Sequence, residues 1–173
     1  MSENFDLVDK DDNKIGRALR SEVHGNPKLI HRVAHVLVFN SAGELYLQKR
    51  AMNKIVQPGK WDTSVGGHVD AGEDYPGAAV RETAEELGIT AGVELFEYLY
   101  KYLHSNNFES EYVSSFRITW DGPVTIQESE IDDGRFWSID EIRETEAKTN
   151  DSIFTPNFLD ELDRYLGFIR DRR

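Results

Sequence analysis

The sequence predicts a mixed α/β (α+β) fold in which a mixed β-sheet is sandwiched between helices. Apolar, strand-like segments are interleaved with only a few helical segments, and they do not follow a regular βαβ alternation. The chain has 173 residues, of which 39% are hydrophobic and 30% are charged. This size and composition fit one domain with a substantial core and a charged surface. We therefore expect a single domain over residues 1–173.

The first half of the chain is predicted to supply several of the strands. Residues 4–8 and 15–20 are expected to form an N-terminal hairpin, spanning about 4–20. A nearly continuous apolar run at 33–39 is typical of a buried strand, and 44–50 alternate as a half-buried strand does. The remaining segments here are a turn at 40–43, a loop at 52–60 and a short strand at 61–65.

A central helix is predicted after this loop and strand. Asp74 is a candidate N-cap, Pro76 is tolerated in the first turn, and Gly88 fits the left-handed stop position. Ala78 and Ala79 are small enough to pack closely on a sheet.

The C-terminal part is predicted to add strands and then two helices. The strands are expected at 93–103, 112–120 and 135–137. Ser138 with Glu141 predicts a capping box that opens a short helix over 139–145. A last helix, about 156–170, is predicted from Thr155-Pro156 and from the apolar residues at helical spacing after it: Phe158, Leu159, Leu162, Tyr165, Leu166 and Ile169.

Three glutamates on the central helix carry the most specific chemical signal. Glu82, Glu85 and Glu86 are spaced i, i+3 and i+4, so their carboxylates project from one face and repel one another. Oxygen ligands of this kind suit Mg²⁺ or Mn²⁺, which bridge to substrate phosphates. The alternative is a solvated acidic surface, the usual meaning of a charge run.

Charge and composition restrict the class of partner. The formal net charge is −12, which argues against polymeric nucleic acid, whereas a small phosphorylated substrate remains compatible if divalent ions invert the local field. Because the sequence has neither a run of 18 apolar residues nor a signal-peptide core, we expect a cytoplasmic protein without a membrane partner. The chain has no cysteine, so disulfides and thiolate chemistry are excluded.

The glutamates are part of a longer pattern with fixed spacing. Gly67, Glu73, Arg81-Glu82, Glu85-Glu86 and Gly88 followed by an aliphatic residue resemble the Nudix box of hydrolases that cleave diphosphate linkages. Thr83 departs from the pattern, since an aliphatic residue is usual there. The resemblance implies a Nudix-type α/β/α sandwich and metal binding by the three glutamates and the Gly67 carbonyl. It also implies that Arg81 belongs to the catalytic motif and ties the preceding loop to the helix through Glu73.

A second resemblance extends beyond the box. Residues 5–18, 31–50 and 58–69 are similar to the branch that contains type I isopentenyl diphosphate isomerase. In that enzyme three histidines and two glutamates hold a metal, and the matching residues here imply a second ion, Mn²⁺ or Zn²⁺. The isomerase's catalytic cysteine falls at Gly66. The alternatives are scaffold histidines and an exposed strand face for the five matching residues: His24, His31, His68, Glu109 and Glu111.

The resulting functional hypothesis is a Mg²⁺- or Mn²⁺-dependent Nudix hydrolase, acting as a monomer or homodimer on a nucleoside diphosphate derivative or similar small diphosphate. Glu82 or Glu111 is the candidate base that activates water. Two alternatives remain open: an isomerase-like protein acting on isoprenoid diphosphates, and a non-catalytic nucleotide-binding module. The candidate substrate-binding residues, whose aromatic members could instead be core residues, are Arg50, Trp61, Tyr100 and Tyr102.

Overall fold

A computed structural model describes residues 3–172, and within them nine strands join in one mixed sheet. The strands, in chain order, are β1 (Asn4–Val8), β2 (Lys14–Leu19), β3 (Ile30–Phe39), β4 (Leu45–Arg50), β5 (Trp61–Asp62), β6 (Val65–His68), β7 (Glu97–Ser105), β8 (Ser110–Thr119) and β9 (Ile131–Trp137). The helices are α1 (Arg20–Val23), α2 (Tyr75–Leu87), α3 (Ile139–Ala147) and α4 (Pro156–Asp171).

Strand β3 organises the sheet because it pairs with four other strands, which are β1, β4, β6 and β8. It runs parallel to β8 along its whole length, and β8 continues into an antiparallel pair with β7. On its other edge β3 pairs with β6 over Val33–Val36 but meets β4 only at Phe39, opposite Leu45. The neighbour of β3 therefore changes from β6 to β4 along the strand, and this change leaves β6 facing α2.

Two apolar cores cover the two faces of the sheet. One lies under α2, where Ala78, Ala79 and Leu87 pack on Ala34 and Val36. The other lies under α3 and α4 and includes Ile142, Phe158 and Leu162, packed on Leu37 and Leu47. Helices on both faces of a mixed sheet confirm the predicted α/β/α sandwich.

Most predicted elements are confirmed, with shifts at their ends. The hairpin, the central helix and the last helix occur at Asn4–Leu19, Tyr75–Leu87 and Pro156–Asp171. The predicted strand at 93–103 is instead a 3₁₀ turn at Val93–Leu95 followed by β7. Ser138 caps α3 through the Glu141 amide as predicted, and the Glu141 carboxylate pairs with Arg135 and also interacts with the Ser138 backbone amide.

The expected alternation of residues 44–50 is wrong. Leu45, Tyr46, Leu47 and Gln48 are all buried, because helices cover both faces of the sheet at β4. Gln48 is thus a polar side chain held inside the protein.

The N-terminal hairpin is fastened to the segment that precedes α2. Asp6 pairs with Lys14 and Arg17 at 2.7 and 2.9 Å and accepts a hydrogen bond from the Gly72 amide. The hairpin thereby places Phe5, which is fully buried, against two histidine rings. Within residues 3–172, no helix has the length and apolar character that a bilayer crossing requires.

Candidate functional site

Helix α2 begins and ends where the sequence predicts. The Asp74 carboxylate accepts a hydrogen bond from the Gly77 amide at 2.8 Å, and Gly88 ends the helix with φ of 64°. Thr83, the residue that departs from the box, is fully buried, and its hydroxyl donates to the Ala79 carbonyl at 2.7 Å. The hydroxyl is therefore satisfied, and the departure leaves the packing of α2 intact.

Arg81 ties the helix to the strand that precedes it. Its guanidinium makes a two-pronged contact with Glu73, donates to the His68 carbonyl at 2.9 Å and reaches Glu82 at 2.7 Å. This agrees with the expected structural link between Arg81 and Glu73. The same contacts hold the Glu82 carboxylate in one orientation.

Gly66 and Gly67 lie in strand β6, and neither has a left-handed backbone. Their importance lies in the absence of a side chain. A Cβ atom on Gly67 would lie 2.0 Å from the carboxyl carbon of Glu82. Glycine at this position is thus required for Glu82 to lie against the strand.

Glu86 is a partly buried carboxylate with few donors around it among the described residues. Gln48 donates to one oxygen at 3.1 Å, and the Gly66 amide also donates to the carboxylate. Burial, together with the nearby charge of Glu82, raises the pKa of Glu86 to about 8. Glu85, by contrast, is more than half exposed, with one oxygen 3.5 Å from Arg81. The helix face therefore presents one exposed and two enclosed carboxylates.

The three histidines and two glutamates predicted as a second metal site do converge. His24 Nε2 lies 3.2 Å from His68 Nε2, and His31 Nε2 lies 3.3 Å from a Glu111 oxygen. Glu109 approaches His24 at 3.9 Å. The ligand atoms of His24, His31 and His68 lie within 4.8 Å of one another, as do those of His31, Glu109 and Glu111. The fold thus brings together residues that are far apart in the sequence.

The donor atoms of this cluster fit a cation. His31 is completely buried; its Nδ1 has no hydrogen-bond partner within residues 3–172, and its Nε2 faces the Glu111 carboxylate at 3.3 Å. Burial lowers the pKa of His68 to about 3, so its ring is neutral and one of its nitrogens carries a lone pair. Burial and the charge of Glu111 raise the pKa of Glu109 to about 7. Three imidazoles and two carboxylates form a ligand set that suits Mn²⁺ or Zn²⁺.

The two carboxylate-bearing sites lie on opposite sides of β6. Side chains alternate along a strand, so Gly67 faces α2 whereas Gly66 and His68 face the other side. The edge of β6 also links them, because the Gly66 amide binds Glu86 and the His68 carbonyl binds Arg81. One short strand therefore contributes backbone to the first site and a side chain to the second.

The candidate substrate-binding residues have different environments. Trp61 is 9% exposed and packs edge-on against Trp137, which favours the core alternative over ligand contact. The hydroxyls of Tyr100 and Tyr102 both donate to Glu161. Arg50 pairs with Asp62 at 3.1 Å. Binding of a substrate by these residues stays a prediction.

Several residues near the sites were not singled out from the sequence. His35 on β3 pairs with Glu161 on α4, and Gln48 contacts Glu86. Desolvation lowers the pKa of Lys54, with a further contribution from Arg50, so these cations lie within electrostatic reach of each other. A polar residue inside an apolar segment was the available signal for His35 and Glu161, since both occur among buried aliphatic or aromatic neighbours.

Comparison with known proteins identifies the family. The model of the NUDIX domain matches residues 29–158, which is most of the chain. The chain therefore belongs to the Nudix hydrolase family. A crystal structure from Deinococcus radiodurans superposes with a TM-score of 0.72 at 24% identity, covering 87% of this chain and 92% of that one, and supports the same fold.

Two sequence relatives represent the two branches that the sequence resembles. The chain is 32% identical to isopentenyl-diphosphate Delta-isomerase 1 of Photorhabdus laumondii, over 92% of each chain. It is 40% identical to an uncharacterized Nudix hydrolase of Pseudomonas aeruginosa, over 75% of each chain. The resemblance to an isomerase-like branch of the family is thus confirmed.

Proposed function

We propose that this protein is a hydrolase that depends on Mg²⁺ or Mn²⁺ and cleaves a diphosphate linkage in a nucleoside diphosphate derivative or a similar small diphosphate. Its 173 residues would act as one domain, as a monomer or homodimer. The substrate is a small molecule, and neither polymeric nucleic acid nor a membrane is a partner in this proposal.

The observation that carries the proposal is the fit between Glu82 and Gly67. The carboxylate occupies the space that any side chain at position 67 would fill, and Arg81 holds it there. Glu86 lies one turn further along the same face. Such close packing of acidic groups destabilises a metal-free helix, so it argues for a cation-binding role.

Different residues have different roles in the proposed reaction. Glu82, Glu85, Glu86 and the Gly67 carbonyl are the proposed holders of the catalytic cation. When bound, divalent ions supply charge neutralisation of the diphosphate and acidify water. Glu82 or Glu111 would accept the proton of the attacking water, and Arg81 positions Glu82.

Cations near the helix face would meet the negative charge of the substrate. Arg50 and Lys54 are candidates, because the charges of Arg50 and Glu86 both act on Lys54. Each also has an acidic partner in the protein, Asp62 for Arg50 and Glu130 for Lys54. Binding of a diphosphate would therefore compete with these two ion pairs.

A second candidate function is chemistry on an isoprenoid diphosphate. The cluster of His24, His31, His68, Glu109 and Glu111 favours it, since its donors fit a second ion, Mn²⁺ or Zn²⁺. Gly66 argues against isomerisation, because the cysteine of the similar isomerases has no counterpart in this chain. A non-catalytic nucleotide-binding module would not need the complete set of glutamates on α2.

One screen tests these functions together. Nucleoside diphosphates and triphosphates, sugar nucleotides and isoprenoid diphosphates are incubated with Mg²⁺ or Mn²⁺, and released phosphate or pyrophosphate is measured. Label exchange with isopentenyl diphosphate measures isomerisation in parallel. Hydrolysis of a nucleotide substrate without exchange is the expected result. Exchange without hydrolysis would establish the second function, and neither activity would favour a binding module.

A further inference from the structure

A buried polar cluster on the α4 side of the sheet lies directly beside Gly66. Glu161 is completely buried, and its carboxylate accepts hydrogen bonds from His35 at 3.0 Å, from Tyr100 at 2.8 Å and from Tyr102. The donors come from β3 and β7, whereas Glu161 comes from α4. These three contacts satisfy the carboxylate and orient the His35 ring.

The ring of His35 has one nitrogen left for another partner. Nδ1 faces Glu161, whereas Nε2 makes no hydrogen bond to another residue of the described chain. The side chain is 15% exposed, so this nitrogen is not sealed in the core. A Cβ atom on Gly66 would lie 3.3 Å from Nε2. The free nitrogen therefore borders the strand that forms the metal-binding face.

Gly66 lies between this nitrogen, on one face of β6, and the glutamates of the proposed reaction centre, on the other face. Its amide donates to Glu86, and the next residue, Gly67, packs on Glu82. A diphosphate held at these glutamates would carry its organic group into the neighbouring space. On the α4 side of Gly66, that space is bordered by the imidazole of His35 and the side chain of Thr63, whose hydroxyl is buried without a partner.

We infer that His35, oriented by Glu161, is a specificity-determining residue that contacts a hydroxyl-bearing organic group attached to the diphosphate. This inference rests on the proposed diphosphate site. A hydroxyl both donates and accepts, so it can partner Nε2 in either protonation state of the ring. A hydrocarbon chain leaves the nitrogen unpartnered when it covers it, which disfavours binding. The site thus selects a sugar-like group and disfavours an isoprenoid one.

The test compares two ligands that share a terminal diphosphate and differ in the organic group. ADP carries ribose hydroxyls next to the diphosphate, and isopentenyl diphosphate carries a short hydrocarbon. Binding of each is measured by titration calorimetry with Ca²⁺ as the cation. The wild-type protein is expected to prefer ADP by at least about tenfold, the size of one well-formed hydrogen bond to a polar site.

Three variants separate ligand contact from a purely structural role. His35→Asn keeps an amide donor near the position of Nδ1 and removes Nε2, so it should reduce the preference for ADP about tenfold. His35→Gln keeps a donor near Nε2 and should retain most of the preference. Thr119→Ala removes an exposed hydroxyl at the end of β8, away from Glu161, and should leave the preference within about threefold. An unchanged preference in folded His35→Asn would overturn the inference.

A measurement on the wild-type protein tests the inference even if a variant does not fold. The ¹⁵N signal of His35 Nε2 should shift when ADP is added with Ca²⁺ and should stay in place with isopentenyl diphosphate. A preference for isopentenyl diphosphate, or equal shifts with both ligands, would contradict the inference. These binding results are independent of turnover, so failure of the hydrolysis screen would remove the proposed reaction without deciding the role of His35.

Discussion

Glu86 and Glu161 are enclosed carboxylates on helices that cover opposite faces of the sheet, yet their pKa values are shifted in opposite directions. Glu161 accepts from His35, Tyr100 and Tyr102, and these contacts outweigh burial and lower its pKa to about 2. Within residues 3–172 the Glu86 carboxylate has only Gln48 and the Gly66 amide as donors, and its pKa rises to about 8. The first carboxylate is ionised, whereas the second is mostly protonated at neutral pH without a cation.

The difference separates two uses of a buried acid. A carboxylate that the protein satisfies by itself fixes the position of its partners, as Glu161 fixes the ring of His35. A carboxylate without a cationic partner in the protein can bind a metal cation from solution. The negative charge of Glu82 favours such binding, because it repels the ionised Glu86.

Removal of divalent ions should have the largest effect. If Glu82 and Glu86 depend on an external cation, exhaustive chelation with EDTA should abolish hydrolysis of the best substrate from the screen. Addition of Mg²⁺ or Mn²⁺ should restore it, as measured by released phosphate. The unfolding temperature of the chelated protein, followed by circular dichroism, shows whether the fold persists. Full activity after chelation would remove the proposed role of the α2 glutamates.

Substitution of Glu86 should be nearly as damaging to activity. Glu86→Gln removes the charge that the cation needs, so turnover should fall at least about 10²-fold, on the scale of losing an electrostatic contact in the transition state. Thermal stability without metal should stay equal or rise, because the neutral amide of Gln avoids the cost of enclosing an ionisable group whose pKa burial and Glu82 raise. Glu144→Gln, on the exposed surface of α3, is the matched control and should change neither quantity. Turnover like that of the wild type in Glu86→Gln would contradict the assignment.

Replacement of two histidines tests whether the second cluster is independent of the first. His24→Gln combined with His31→Gln should eliminate a Mn²⁺ or Zn²⁺ ion at the histidines but leave the ion beside Glu82 and Glu86. Anomalous scattering from crystals soaked in Mn²⁺ locates both. Wild-type crystals with a peak only at α2 would mean that the histidines are scaffold residues, and the resemblance to the isomerases would then be one of ancestry.

The arrangement of the carboxylates around Glu86 could be predicted largely from the sequence. The spacing of Glu82, Glu85 and Glu86 within a capped helix predicted a shared face, because helix geometry is local. The five residues of the second cluster were found by resemblance, since no local rule brings His24 and Glu111 together. Their convergence depends on the parallel pairing of β3 with β8, in which His31 lies opposite Glu111.

The Glu161 side could not be predicted from local pattern. His35 lies in an apolar strand and Glu161 beside the apolar stripe of the last helix, and 126 positions separate them. Only the packing of α4 on the sheet brings these two residues together. A polar residue within a buried segment indicates that a partner exists, but it does not say which residue that partner is.

The pH dependence of folding is the finest test of the contrast, and its sign follows from the His35–Glu161 pair. The pKa of Glu161 falls from its ordinary 4.5 to about 2. The contribution of Glu161 to the free energy of unfolding is therefore complete above pH 4.5 and is lost as the pH falls toward 2. Desolvation lowers the pKa of His35, but the hydrogen bond and charge of Glu161 outweigh it, and the net pKa lies above 6.5. Its contribution is therefore complete below 6.5 and is lost as the pH rises through the raised value.

Glu161→Gln should remove this dependence. The free energy of unfolding, measured by urea denaturation in EDTA, should differ most between wild type and variant from about pH 4.5 to 6.5. The difference should narrow on both sides of this range, because protonated Glu161 or neutral His35 no longer forms an ion pair. Asp160→Asn, at an exposed position one residue earlier on α4, is the control and should follow the wild-type curve. A difference that is constant from pH 2 to 9 would mean that Glu161 acts through shape and hydrogen bonding alone, without the charge that distinguishes it from Glu86.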